Sequence, residues 1–517
     1  MMKQLASDAP ARSFAERRTI DYIPDSERHG TPISQFTLWF GANLQITAIV
    51  TGALAVVLGG DVFWSLVGLC IGQMLGGIVM ALHGAQGPKL GLPQMISSRV
   101  QFGVLGATLP LVLVCMMYVG FSAGGAVLAG QAIAQLSGVT PTVGVLLFAA
   151  LVVISTVLGY RVIHGLGRAM TVVGIAAFAY LFARLLADHD VGALLSIRHF
   201  SPGSFLLAMS LSASWQIAYG PYVADYSRYL PRSTSAVGTF GAVWLGSVLG
   251  SQASMTFGVF AAALAGHAFA GHEVAFVVGL GGGGAAAVLL YFAIALGKLT
   301  ATTLNAYGCV MSVATIATGL GGRRSISARA RTASIVAMVV VVTWLALAGQ
   351  HAFLKAFSSF ILFLLAFFTP WSAINLVDYY CVTKERYDVP ALYDPDGRYG
   401  RWNVAGIAVY VIGVLVQMPF IATSFYTGPL VDAIGGADIS WIVGLAVPAL
   451  LYYVAARRSL ARVPATLILP AATAAETTGA DTAAVDTAAV DTAAVDTAAV
   501  DTANQRPIVG AAEESHG

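Results

Sequence analysis

Charge is what this sequence has least of. Aspartate, glutamate, lysine and arginine make up 10% of its 517 residues, against roughly 25% in an ordinary soluble domain. Hydrophobic residues make up 57%, and the mean hydropathy is +0.78. A soluble globular chain is excluded, and an all-α polytopic membrane protein is expected. The net charge of +2 is too small to suggest a nucleic-acid partner. Cysteine is nearly as scarce. Cys70, Cys115, Cys309 and Cys381 lie in apolar segments or a predicted cytoplasmic loop without any CxxC pattern, which indicates neither a disulfide framework nor a zinc site. Residues 1–35, a cytoplasmic N-terminal segment, lack an apolar h-region. No cleavable signal peptide is expected, and the first membrane helix has to direct its own insertion. No motif implies a cofactor.

Apolar runs of membrane length are abundant instead. A hydrocarbon core about 30 Å thick takes windows of about 20 residues, and about twelve can be placed. They lie near 36–58, 62–82, 106–134, 142–160, 169–187, 204–224, 237–265, 286–317, 332–349, 356–377, 403–423 and 440–456. Lysine and arginine favour the cytoplasmic side. Cytoplasmic N- and C-termini put Lys89, Arg99, Arg161, Arg168, Arg228, Arg232, Arg323, Arg324, Arg329, Arg331, Lys384 and Arg401 inside, and leave Arg184, Arg198 and Lys355 outside. The expected setting is the lipid bilayer of the cytoplasmic membrane. Beyond the last span, Asp-Thr-Ala-Ala-Val recurs four times between Asp481 and Val500. The tail 463–517 has no aromatic residue and little apolar bulk to offset ordering entropy, so it is expected to be a disordered, low-complexity segment.

Two features are out of place in lipid. Ser214-Trp215-Gln216-Ile217-Ala218-Tyr219-Gly220-Pro221 puts an indole, an amide and a helix-breaking pair inside one span. Pro221 lacks an N–H, and irregular backbone at membrane depth survives only where protein buries it or it lines a cavity. Broken helices of this kind build the substrate sites of transporters. The second feature is Lys298, about a dozen residues and so roughly 18 Å into span eight, near the midplane. A lysine there costs about 2.5–3.5 kcal/mol on insertion scales. No Asp or Glu stands in the middle of another predicted span to pair with it. It is expected to face protein or water, either gaining and losing a proton or bonding helix-end carbonyls as structural glue. Thr302 and Asn305 follow on the same helix face.

Long motifs then carry a family resemblance. Gly84-Ala85-Gln86-Gly87-Pro88-Lys89-Leu90-Gly91-Leu92-Pro93-Gln94-Met95, Ser214-Trp215-Gln216 continuing through Pro221-Tyr222-Val223-Ala224-Asp225-Tyr226-Ser227-Arg228-Tyr229-Leu230-Pro231, and Leu304-Asn305-Ala306-Tyr307-Gly308 resemble the nucleobase-cation symporter-1 family, purine-cytosine permease branch. Arg28-His29-Gly30 and Trp39-Phe40-Gly41-Ala42-Asn43 are similar too. The resemblance implies a leucine-transporter-like fold over 36–458: a first five-helix repeat (36–187), a second in inverted orientation (204–377) and two extra helices (403–456). Spans one and six become equivalent, with interruption signals at Gly41-Ala42-Asn43 and Gly220-Pro221.

By the same resemblance, a flat heterocycle sits between Phe121 on span three and Trp215 on span six, next to Ser214. The amides of Gln216 and Asn305 read its edges. No fixed charge is expected at the substrate, which favours a neutral ligand. Phe121 stands where relatives usually have Trp, and Gly125, one turn on, where they often have Asn or Gln. In sodium-coupled relatives a hydroxyl pair on span eight binds the ion with carbonyls of the broken first helix. Leu299 and Thr300 match that pair, so one expectation is Na⁺ at Thr300 with backbone carbonyls near Gly41 and Asn43. Lys298 beside it would repel Na⁺. The other expectation is H⁺ coupling, or a tethered charge, carried by Lys298 with Thr302 nearby. Asp225 and Arg228 at the end of span six form either an inner-gate pair or a static anchor, and Arg99 and Arg168 are similar candidates.

The expected protein is a symporter importing a nucleobase such as cytosine or a purine, or a related nitrogenous heterocycle (allantoin, hydantoin, a vitamin-like ring), by alternating access. A membrane nutrient sensor on the same fold is the alternative. Enzyme motifs are weak. Gly120-Phe121-Ser122-Ala123-Gly124 matches G-x-S-x-G but lies inside an apolar helix, without the strand-to-helix turn that exposes such a serine. His272-Glu273 lacks a second histidine, and Gly279–Gly284 matches G-x-G-x-x-G without a βαβ context.

Overall fold

The computed structural model describes residues 20–158, 160–321, 328–423, 426–436, 438–457 and 463–470. The Asp-Thr-Ala-Ala-Val repeats, Arg323, Arg324 and the side chain of Arg168 lie outside the described residues. Helices occupy every expected span: α1 (Pro32–Asn43), α2 (Ile46–Val57), α3 (Val62–Gly84), the short α4 (Gly87–Leu90), α5 (Gln94–Ser97) and α6 (Arg99–Phe102), α7 (Thr108–Ser137), α8 (Pro141–Leu158), α9 (Tyr160–Asp188), α10 (Val191–Ser196), α11 (Pro202–Ile217), α12 (Gly220–Ser227), α13 (Ala236–Ala265), α14 (Glu273–Gly279), α15 (Ala285–Gly321), α16 (Ala328–Gly349), α17 (Phe353–Val377), α18 (Val404–Leu415) and α19 (Ser440–Ala456). Among the described residues, five helical stretches are long and apolar enough to cross a membrane, or six with the bent pair α1 and α2 counted as one span. α18, at 12 residues, is shorter than the window that announced it, and α19, at 17, matches its window.

Span one breaks where its polar sequence interrupts the helix. α1 and α2 meet at 61°. The break falls at Leu44 and Gln45, just past the glycine signal, because Gln45 is extended (φ −148°, ψ 154°). The freed backbone groups find local partners: the Ala42 carbonyl accepts from Gln45 Nε2 (2.8 Å), and the Asn43 carbonyl from Ser254 Oγ (2.7 Å). Such rescue is what permits irregular backbone here. Span six is interrupted more gently. α11 stops at Ile217 and α12 restarts at Gly220, with Pro221 in the first turn of α12, where its missing N–H costs least.

Two groups of helices follow from packing. The pair α1 and α2, together with α3, α11 and α13, forms one unit, while α7, α8, α15 and α16, with α9 against α15, form the other. Backbones nearly touch inside the first unit. A Cβ at Gly258 would lie 1.8 Å from the Ile49 carbonyl oxygen, and one at Gly52 would lie 2.2 Å from that of Met255, so only glycine lets α2 and α13 cross. α17, α18 and α19 pack together, and α17 packs against α11.

The stretch 85–107 reads as a loop between spans two and three, yet the structure buries nearly all of it. α4, α5 and α6 sink into what we call the basic end of the molecule. Arg99 is buried there, donating to the Leu392 carbonyl (2.9 Å) with its guanidinium over Tyr393. Gln101 donates to Asp378 Oδ2 (2.8 Å), which also accepts from Tyr387 (2.9 Å), while Tyr452 donates to Asp378 Oδ1 (2.9 Å). Residues 463–470, at the start of the segment expected to be disordered, pair with the loop after α17 through Ile468 N–H to the Tyr387 carbonyl (2.8 Å) and Val389 N–H to the Ile468 carbonyl (2.9 Å).

Candidate functional site

Asn43, the last residue of α1, organises the middle of the molecule. Fully buried, its Oδ1 accepts from Trp215 Nε1 (2.7 Å) and from the Tyr219 hydroxyl (3.2 Å), while its Nδ2 donates to the Trp39 carbonyl (2.7 Å) and to Ser247 Oγ (3.1 Å). The break in span one thus fixes the plane of the span-six indole. Phe121 meets that indole edge to face, with centroids 5.7 Å apart at 85°, and meets Phe360 the same way at 5.2 Å. A ring sandwiched between two faces needs about 7 Å between them, twice the ordinary contact distance. In this state the slot is shut.

The amides behave differently from one another. Gln216 does not point into the slot. Its Nε2 donates to Gln73 Oε1 and to Ser251 Oγ (3.0 Å), and its Oε1 accepts from Ser247 Oγ (2.6 Å), so α3 and α13 hold it. Ser214 Oγ likewise donates away, to the Ile361 carbonyl on α17 (2.5 Å). Asn305 is half-buried and donates to Ser122 Oγ (3.3 Å), across the α7–α15 contact.

Lys298 lies at the break of span one. Its Nζ donates to Gln45 Oε1 (2.6 Å) and Thr47 Oγ1 (3.0 Å), and the residue is 5% exposed. Its aliphatic stem runs over Gly125: a Cβ there would lie 3.3 Å from Lys298 Cδ, 3.5 Å from Thr302 Oγ1 and 3.9 Å from Nζ. The space left by the missing Asn or Gln side chain on span three is therefore taken by the lysine. Thr300 Oγ1 donates to the Leu296 carbonyl of its own helix (3.1 Å), and the Gly41 carbonyl accepts from Leu44 N–H (3.1 Å). The basic side chain that the structure brings to the break is that of Lys298.

Below the slot a cavity of about 150 Å³ runs from Asn305 and Tyr118 to Arg228, Tyr229 and Ile20 at the basic end. Along α15 its lining residues span from Leu304 to Thr315, about 16 Å of helix. Tyr118 and Tyr222 face each other across it, centroids 5.7 Å apart. Gly308 makes this possible, since a Cβ there would lie 2.6 Å from Tyr118 Cζ. Asp225 and Arg228 stand at the mouth. Asp225 Oδ1 accepts from Gln94 N–H (2.7 Å), Arg228 Nε donates to the Asp225 carbonyl (3.2 Å), and the guanidinium lies over Tyr229.

Sequence reasoning did not single out Gln45, Thr47, Tyr118, Gln73 or Ser247. Polar residues recurring in apolar spans were the available signal. The buried pair His83 and Ser372 (3.1 Å), with His83 stacked on Trp371, was missed as well.

Residues 22–444 match the family described as permeases for cytosine/purines, uracil, thiamine and allantoin. The provisionally named purine-cytosine permease YxlA of Bacillus subtilis is 39% identical over 444 residues, covering 85% of this chain and 95% of that protein. The purine-cytosine permease fcyB of Emericella nidulans is 22% identical over 469 residues, covering 84% and 87%. Among solved structures, the inward-facing conformation of Mhp1 superposes with a TM-score of 0.72 at 20% identity, covering 89% of this chain and 99% of that one. Mhp1, a nucleobase-cation-symport-1 family transporter, also superposes in a closed conformation with bromovinylhydantoin bound, at a TM-score of 0.69 and 19% identity, covering 87% and 96%.

Proposed function

We propose a transport cycle from one premise: this chain belongs to the family of permeases for cytosine and purines, uracil, thiamine and allantoin. It is a multi-pass membrane protein and a nucleobase-type secondary transporter, a permease and not an enzyme. The substrate is a nucleobase or related nitrogenous heterocycle, imported through the cell membrane. Its flat ring occupies the slot between Phe121 and Trp215 once these separate, with an edge hydrogen-bonded to Asn305. Gln216 and Ser214 shape the slot from behind through the contacts they make to neighbouring helices.

The observation that supports this reading is the cavity that Asn305 lines, reaching from the basic end to the residue that bonds Ser122 next to Phe121 on α7. The basic end is cytoplasmic, as are both termini, and the described state faces inward: slot closed, exit path open. Asp225 and Arg228 flank that exit, and their regrouping closes it. Coupling depends on the positive charge at the span-one break. Lys298 supplies it there, so H⁺ drives uptake and Thr300 holds no Na⁺. Vesicles under separately imposed gradients test this with radiolabelled cytosine, adenine, hypoxanthine, uracil and allantoin. Accumulation under an H⁺ gradient alone supports the reading, and a strict need for Na⁺ overturns the role of Lys298. Failure of every probe under both gradients overturns the nucleobase substrate.

A further inference from the structure

The ammonium of Lys298 is a buried cation whose hydrogen-bond partners among the described residues are both neutral oxygens. Gln45 Oε1 and Thr47 Oγ1 take two of its three N–H donors, and among the described residues no carboxylate pairs with it. A buried charge without a counter-charge is expensive unless something else supplies one. Three observations place this cation at the ring slot. Its stem crosses Gly125, four residues and one helical turn from Phe121. Its anchor Gln45 is two residues from Asn43, which holds the indole of Trp215. Asn305, on the same face of α15 two turns away, donates to Ser122, and its Oδ1 has no donor among the described residues. A ring in the slot thus meets an ammonium toward one edge and an amide oxygen toward another.

We infer that the transported ring is a carbonyl-rich, acidic heterocycle, in which an anionic or strongly accepting oxo edge meets Lys298 and a ring N–H meets Asn305. Imide-type rings, in which an N–H lies between carbonyls, satisfy both contacts. Adenine, with an exocyclic amine and no oxo group, places a donor against a donor, while cytosine keeps a single oxo group, at O2 beside N1–H, and lacks an acidic N–H between two carbonyls. The inference rests on the transporter reading above and narrows its substrate. It also replaces the sequence-based expectation of a neutral ligand in an uncharged slot. With no ring bound, Gln45 and Thr47 hold the ammonium, as in the described state.

The test uses the full chain, in vesicles for uptake and purified in detergent for binding. The radiolabelled probes are uric acid, an anion at neutral pH, together with xanthine, adenine and cytosine. A charge-assisted hydrogen bond in place of a donor clash changes affinity by on the order of tenfold or more. Uptake efficiency for xanthine or uric acid is therefore expected to exceed that for adenine by about tenfold, with cytosine between them. Lys298→Met is expected to cut that ratio to under about threefold. Equal or better uptake of adenine or cytosine by the unaltered protein overturns the inference, as does a Lys298→Met variant that keeps the full ratio. If Lys298→Met transports nothing, thermal stabilisation of the unaltered protein decides. A larger shift with xanthine or uric acid than with cytosine at equal concentration supports the inference, and the reverse order overturns it. Absence of uptake and of stabilisation with all four probes overturns the inference, and silence of the wider panel named above as well overturns the nucleobase substrate with it.

Discussion

Replacing Asn43 with alanine should damage both stability and substrate affinity. The side chain makes four hydrogen bonds at zero exposure, and its loss orphans two buried donors, the Trp215 indole N–H and the Tyr219 hydroxyl. At about 1–3 kcal/mol for each unsatisfied buried group, the cost is about 2–6 kcal/mol, a large share of a typical 5–15 kcal/mol. Freed from Asn43, the indole no longer holds one plane. KM should rise about tenfold, equivalent to about 1.4 kcal/mol of ring binding. The assays are thermal unfolding of purified protein and saturable uptake into vesicles. A double-mutant cycle with Trp215→Phe isolates the shared bond: if that bond is the cause, the two substitutions together cost less than their sum. An Asn43→Ala protein whose melting temperature and KM both match the unaltered protein would refute the reasoning.

Gly258→Ala should prevent α2 from seating on α13 and lower the yield of folded protein severely, since its Cβ meets the Ile49 carbonyl at 1.8 Å. Gly241→Ala, with nothing within 4 Å, should be silent in the same expression and melting assay. Gly308→Ala should leave folding intact but push Tyr118 into the cavity and lower the maximal uptake rate several-fold. Pairing it with Tyr118→Leu should restore the rate, and failure of that rescue would place the damage elsewhere. Tyr452→Phe removes one donor from the buried carboxylate of Asp378 and should cost about 1.5–3 kcal/mol in unfolding experiments, the range for hydrogen bonds to charged groups. An unchanged melting curve would mean that another group takes over the bond.

Spans were legible because membrane length and apolar content suffice to mark them. The break of span one was legible as a region but not as a residue, because Leu44 and Gln45 leave the helix where Ser254 and the Gln45 side chain receive the freed carbonyls, and those contacts are tertiary. Lys298 was legible by depth alone. Its partners Gln45 and Thr47 lie some 250 positions away in the chain, and no local pattern joins them. Gln216 was legible as an amide at membrane depth, yet its direction depends on Gln73, Ser247 and Ser251 from two other helices. The burial of α4 to α6 was hidden by Lys89 and Arg99, which read as loop charges. Arg99 instead turns its two terminal nitrogens to the Leu392 and Thr315 carbonyls and its face to Tyr393.

The glycine crossing of α2 and α13 has a mechanical consequence. Where backbones touch through bare Cα positions, there are no rotamers to absorb displacement, so these helices slide only by breaking van der Waals contact along their length. The contacts from this unit and the adjoining α12 to α7 and α15 are of another kind: Phe121 on Trp215, Tyr118 on Tyr222, Lys298 on Gln45 and Thr47. Each is made by the tip of a side chain that can turn about its χ bonds. The molecule is stiff within its units and compliant along the seam between them, and the slot and the cavity both lie on that seam.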